Sequence, residues 1–138
     1  MRIINLALSF FISLNVNAQL LEGTLMFVGF NADGLDGFAI VSLVDIPANS
    51  TIYFSDNEWN GSAIGFGGAF INTTEGIITW STGVNFIPAG TVVIFNSTSD
   101  DADLDYGASV GSISGEINLN ASDEVLYAYL GTDDVTPT

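Results

Sequence analysis

The chain has 138 residues, sixteen acids, one base (Arg2) and no His or Cys, for a formal net charge of −15. That length suits one domain with a real core and no disulfides. Without Cys, His or Lys, thiol and triad catalysis, thiolate or imidazole metal sites and Schiff-base chemistry are excluded, and nucleic-acid binding lacks the cations that phosphate contacts need.

In chain order, residues 1–18 read as a secretory signal peptide. Arg2 is a minimal basic start, an apolar run extends from Ile3 to about Val16, and Val16-Asn17-Ala18 closes it as a small-residue cleavage site. The run is shorter than the roughly 20 residues of a membrane span, and Asn5 and Asn15 interrupt it. The expectation is a secreted or cell-surface protein beginning at Gln19, with no membrane insertion after cleavage.

From Leu20 onward, short apolar runs alternate with Gly, Asn, Asp and Ser. They predict strands over 24–30, 38–44, 51–55, 76–81, 91–96 and 124–130, with weaker candidates at 63–71 and 108–114. No window keeps a 3.6-residue period, so seven to eight short strands mean an all-β antiparallel sandwich or small barrel. The segments 38–44 and 51–55 are expected to form a hairpin around Asp45–Ser50, where Pro47 presets φ and Asn49 and Ser50 can bond nearby backbone. The same Ile-Pro-Ala tripeptide recurs at Ile87-Pro88-Ala89, again between two strands, which predicts a second hairpin with Gly90 free to take a positive φ. The predicted core includes Phe27, Ile40, Ile52, Phe54, Ile78, Trp80, Val92, Ile94 and Tyr127.

Several strands are apolar on both faces: Met26, Val28 and Phe30 oppose Leu25 and Phe27, and Tyr127 and Tyr129 oppose Leu126, Ala128 and Leu130. Part of the outer surface is therefore either covered, by a neighbouring domain or partner, or dotted with scattered surface hydrophobes. Residues 131–138 form a polar tail, and one more apolar run would normally close such a sandwich; the module is expected to be truncated before a closing strand.

Candidate chemistry rests on carboxylates. Pairing around the Pro47 turn carries Asp33, Asp36, Asp56 and Glu58 to the far end of the hairpin, beside Trp59. Oxygen ligands from two adjacent loops suit a hard cation such as Ca²⁺, and an acidic ledge beside an exposed Trp also suits a sugar. Turn-forming side chains that bond local backbone explain the same acids without a ligand. The run Asp101-Ala102-Asp103-Leu104-Asp105 opens like an EF-hand loop, but Gly107 falls one place late and Ser112 stands where Glu belongs. A solvated acidic turn or an irregular Ca²⁺ loop are the two readings left. Only carboxylates could act as acid and base, as in a glycosidase-like pair such as Asp56 and Glu58.

Several blocks are familiar together: Phe27-Val28-Gly29-Phe30-Asn31-Ala32-Asp33-Gly34, Phe38-Ala39-Ile40-Val41, Asp45-Ile46-Pro47-Ala48, Ile52–Trp59 and Ile87–Val93. The chain resembles a lamin-tail-like module of secreted Bacteroidetes and cyanobacterial proteins. The resemblance implies an immunoglobulin-like β-sandwich, and it implies a binding or anchoring part rather than an activity. The resulting expectation is a non-catalytic extracellular binding or adhesion module, with a glycan or another protein or domain as partner. The alternatives are a Ca²⁺-stabilised carbohydrate-binding module and a carboxylate-only hydrolase.

Overall fold

A computed structural model describes residues 20–72, 74–122 and 124–138; the signal-peptide segment 1–18 and Gln19 lie outside the described residues. The chain is all-β. Among the described residues, eight strands form two four-stranded antiparallel sheets that face each other as a sandwich. They are β1 (Leu25–Asn31), β2 (Gly37–Ser42), β3 (Thr51–Ser55), β4 (Ile77–Ser81), β5 (Val92–Asn96), β6 (Gly107–Ala108), β7 (Ser112–Ser114) and β8 (Tyr127–Tyr129). One sheet has the order β1-β2-β5-β6 and the other β7-β4-β3-β8. The chain thus lays down two strands in one sheet, two in the other, and repeats.

This order corrects the hairpin expected around Pro47. β2 pairs with β1 and β5, whereas β3 pairs with β4 and β8. The Pro47 segment is an arch from one sheet to the other, and the Pro88 segment is a second arch between β4 and β5. The two repeats pack on each other: Ile46 and Ile87 exchange backbone hydrogen bonds of 2.8 and 2.9 Å, and both side chains are buried. Asp45 Oδ1 accepts from the Ala89 N–H, and Thr82 Oγ1 accepts from the Ser50 N–H while donating to the Pro47 carbonyl. Gly90 leaves the second arch at φ +84°, a left-handed conformation that glycine adopts without steric cost. The weak candidate 108–114 divides in the same way, into β6 in one sheet and β7 in the other. The candidate 63–71 is a loop.

Between the sheets lie Phe38, Ile40, Ile52, Phe54, Ile78, Trp80, Val93 and Phe95, all buried. Phe54 and Phe95 sit at its centre with ring centroids 5.0 Å apart, and Trp80 meets Phe95 edge-on at 5.4 Å. Trp80 is fully enclosed, and its Nε1–H donates to the Val110 carbonyl at 2.8 Å. Five predicted core residues are therefore inside: Ile40, Ile52, Phe54, Ile78 and Trp80. Val92 and Ile94 are not, at 50% and 46% exposure, because β5 turns Val93 and Phe95 inward. Every residue from Val92 to Phe95 is apolar, so alternation carried no information about which parity faces in. Phe27 and Tyr127 are also outside the buried centre, as described below.

The end away from the arches is closed by residues 115–119. Ile117 and Leu119 are buried there, and the Ile117 N–H donates to the Thr98 carbonyl at 2.8 Å. Gly76 lets this segment approach, since a Cβ at that position would lie 2.4 Å from the Glu116 carbonyl oxygen and 2.5 Å from Ile117 Cα.

Candidate functional site

Strand register carries Asp33, Asp36, Asp56 and Glu58 to the end of the sandwich opposite the arches. They do different things there. Asp36 is buried, and its Oδ2 accepts from the Leu119 N–H at 2.8 Å while its N–H meets Ser99 Oγ. Asp56 is also buried, and its Oδ1 accepts from the Gly76 N–H at 2.6 Å. Both carboxylates tie the closing segment and the start of β4 to the sheet ends. Burial raises the Asp56 pKa above the ordinary carboxylate value; the Gly76 N–H and its own backbone N–H oppose this, and Glu124 and Glu75 add to the rise. Asp33 and Glu58 are exposed. The Asp33 N–H caps onto Asn31 Oδ1, and the Glu58 carbonyl accepts from the Ile71 N–H.

Among the described residues, the three carboxylates that bring oxygens within 4.8 Å of one another are Asp100, Asp101 and Glu116, all exposed. No three of the four acids named above do so. Asp100 Oδ1 accepts from the Ala102 N–H, Asp103 Oδ1 from the Asp105 N–H and the Ser97 hydroxyl, and Glu116 Oε1 from the Asp101 N–H. The Asp101–Asp105 run is thus a chain of turns capped by its own acids.

Trp59 belongs to a different feature. Residues 58–71 leave β3 and fold back as a short ribbon, with a bridge between Trp59 and Phe70 and backbone bonds from Asn60 to Ala69 and from Ile71 to Glu58. The ribbon lies over the outer face of the second sheet. Tyr53 and Tyr129, cross-strand partners on that face, stack at 5.6 Å. Phe70 meets Tyr129 at 5.2 Å, Tyr127 at 5.8 Å and Trp59 at 5.1 Å. This answers half of the expectation that an apolar outer face is covered: here the chain covers it with its own loop. The other sheet leaves Met26, Val92 and Ile94 exposed.

The cover is incomplete. Trp59, Ser62, Ile64, Phe70, Tyr127 and Tyr129 border a pocket of about 300 Å³. Trp59 is half-buried, with its indole N–H donating to the Ser62 carbonyl at 2.8 Å, so what it offers the pocket is ring surface. Residue Trp59 was thus marked by the sequence as a ligand contact, while Phe70, Tyr127, Tyr129 and Ile64 were not. The spaced pair Tyr127 and Tyr129 on one strand face was the available signal; Phe70, in a Gly-rich loop, had none.

No family model matches the chain, and neither a curated protein nor a solved structure matches it.

Proposed function

We propose that the chain is a non-catalytic binding or adhesion module of a secreted or cell-surface protein, built as a lamin-tail-like, immunoglobulin-like sandwich. The observation that carries this reading is the aromatic pocket beside β8, where Trp59, Phe70, Tyr127 and Tyr129 keep ring surface open to solvent. Pockets walled by aromatic side chains with few polar groups are common binding sites. The buried acids support the same reading from the other side. Asp36 and Asp56 are engaged with backbone N–H groups, which leaves little for acid–base work.

A Ca²⁺-stabilised carbohydrate-binding module is the second reading. It is favoured by the close approach of Asp100, Asp101 and Glu116 and by the ring faces of Trp59 and Tyr127. Both readings meet one test: the purified chain on a glycan array and on a panel of extracellular proteins, in Ca²⁺ and in EDTA. A hit that is lost in Trp59→Ala supports a binding module at this pocket. Hits on glycans that need Ca²⁺ favour the second reading. Turnover of a glycan, lost in Asp56→Asn or Glu58→Gln, would overturn both.

A further inference from the structure

Asn60 and Gly61 form the one Asn-Gly pair in the sequence. An asparagine amide before glycine is the most open to attack by the next backbone nitrogen, because glycine brings no Cβ to crowd the approach. Here both residues are exposed, and Gly61 stands at φ +79° with nothing within 4 Å of where its Cβ would lie. Among the described residues, no backbone carbonyl accepts from the Gly61 N–H.

The Asn60 amide is held at both ends. Its Oδ1 accepts from the Ser62 N–H at 2.9 Å, and its Nδ2 donates to the Gly67 carbonyl at 2.8 Å. The first bond aims a donor at the oxygen on which negative charge builds when Cγ is attacked. The second ties together the two arms of the 58–71 ribbon, beside the bond from the Asn60 N–H to the Ala69 carbonyl at 3.1 Å. The arms meet closely: a Cβ at Gly68 would lie 2.4 Å from Trp59 Cζ2 and 2.6 Å from the Ser62 carbonyl oxygen. One residue links the amide to the Trp59 ring, since Ser62 gives its N–H to Asn60 and its carbonyl accepts from the indole.

We propose that Asn60 is a self-modification site. The Gly61 nitrogen loses its proton and bonds to Asn60 Cγ; the Cγ–Nδ2 bond breaks, and the amide leaves as ammonia, taking up that proton. The succinimide ring adds one water at either carbonyl and opens to an aspartate or an isoaspartate. Water is the one co-reactant. Aspartate sets a carboxylate oxygen where Nδ2 faced the Gly67 carbonyl, so a donor–acceptor pair becomes two acceptors that repel. Isoaspartate also inserts a methylene into the main chain and shifts the ribbon out of register with Ala69. Either product loosens the ribbon and exposes Trp59. The chemistry belongs to the chain itself and does not depend on what the aromatic pocket binds.

The test holds the purified chain for weeks in mildly alkaline buffer, folded and urea-unfolded, while peptide mapping by mass spectrometry follows each asparagine. In the folded chain, Asn60 should convert at least tenfold faster than any other asparagine. Gly61→Ala should slow the conversion at least tenfold. Because that variant also strains a positive φ, Asn60→Gln is the second one; its amide must close a larger ring and should likewise convert at least tenfold more slowly. The converted chain gains a negative charge and separates by anion exchange. Acrylamide should quench its Trp59 emission at least twofold more strongly than the parent's, over a constant background from the enclosed Trp80. Asn60→Asp should move quenching in the same direction. Asn85→Asp adds the same charge at an exposed position before the second arch and should leave quenching unchanged. The proposal is overturned if Asn60 converts only in the unfolded chain or not at all, if another asparagine keeps pace with it, or if either slow variant converts at the parent's rate. It is also overturned if the converted chain is quenched no more than the parent, or if Asn85→Asp raises quenching as much as Asn60→Asp.

Discussion

Asp56 separates a structural acid from a metal ligand, because two substitutions there have different expected outcomes. Its Oδ1 accepts from the Gly76 N–H at 2.6 Å inside the closed end of the sandwich. Asp56→Asn keeps an oxygen acceptor and removes the charge. Asp56→Ala removes both and leaves a buried N–H without its partner, a loss of about 1–3 kcal/mol. Burial, with Glu124 and Glu75 adding to it, raises the Asp56 pKa above its unfolded value of 3.8. A raised carboxyl pKa means that the folded state disfavours the ionised form. That penalty is complete at pH values above the folded pKa, is relieved as pH falls through it, and is gone below 3.8. Asp56→Asn should therefore be as stable as the parent or more stable at pH 7, and its advantage should shrink on acidification. Urea unfolding followed by far-ultraviolet circular dichroism at pH 7 and near pH 4 measures both effects. The reasoning is refuted if the Asn variant is as unstable as the Ala variant at pH 7, or if its advantage grows in acid.

Three further expectations concern the core, the closed end and the acidic loop. Trp80→Ala should cost about 3–5 kcal/mol by urea unfolding, and Trp80→Phe about 1–3 kcal/mol because the Val110 carbonyl loses its donor; a loss below about 1 kcal/mol in the Ala variant would mean that Trp80 is not central. Gly76→Ala drives a methyl to 2.4 Å from the Glu116 carbonyl oxygen and should cost about 1–3 kcal/mol by the same assay, whereas an unchanged midpoint would contradict the tight approach of residues 115–119. If Ca²⁺ binds, its target is Asp100, Asp101 and Glu116: the melting temperature should rise with millimolar Ca²⁺ relative to EDTA at matched ionic strength, and Glu116→Gln should remove the rise. Equal melting curves would reduce the loop to a solvated rim.

Much of the architecture was readable from the residues. β-Branched and aromatic residues in Phe38–Val44 and Thr51–Ser55 located β2 and β3, and the short apolar run of Gly76–Ser81 located β4. The sheet that each strand joins was not readable. An Ile-Pro-Ala turn between two strands has the same local sequence whether it closes a hairpin or arches across the core; the choice is made by distant partners, Ile46 against Ile87 and Ser50 against Thr82. Parity failed at Val92–Phe95 for a related reason, since both faces of that strand are apolar. The acids were legible in position but ambiguous in role: Asp36 and Asp56 could be assigned to structural bonds only once Leu119 and Gly76 were brought to them. Phe70 was illegible, because a loop residue acquires its meaning from the strand face it covers.

The location of the binding surface along β8 is the claim on which the functional account depends. Its most direct measurement is a titration of ¹⁵N-labelled protein with a ligand taken from the glycan array or the extracellular panel, followed by amide chemical shifts. The account predicts saturable shifts gathered at Trp59–Phe70 and Tyr127–Tyr129. Shifts gathered instead at Asp100–Glu116, or spread evenly over the acidic surface, would contradict it.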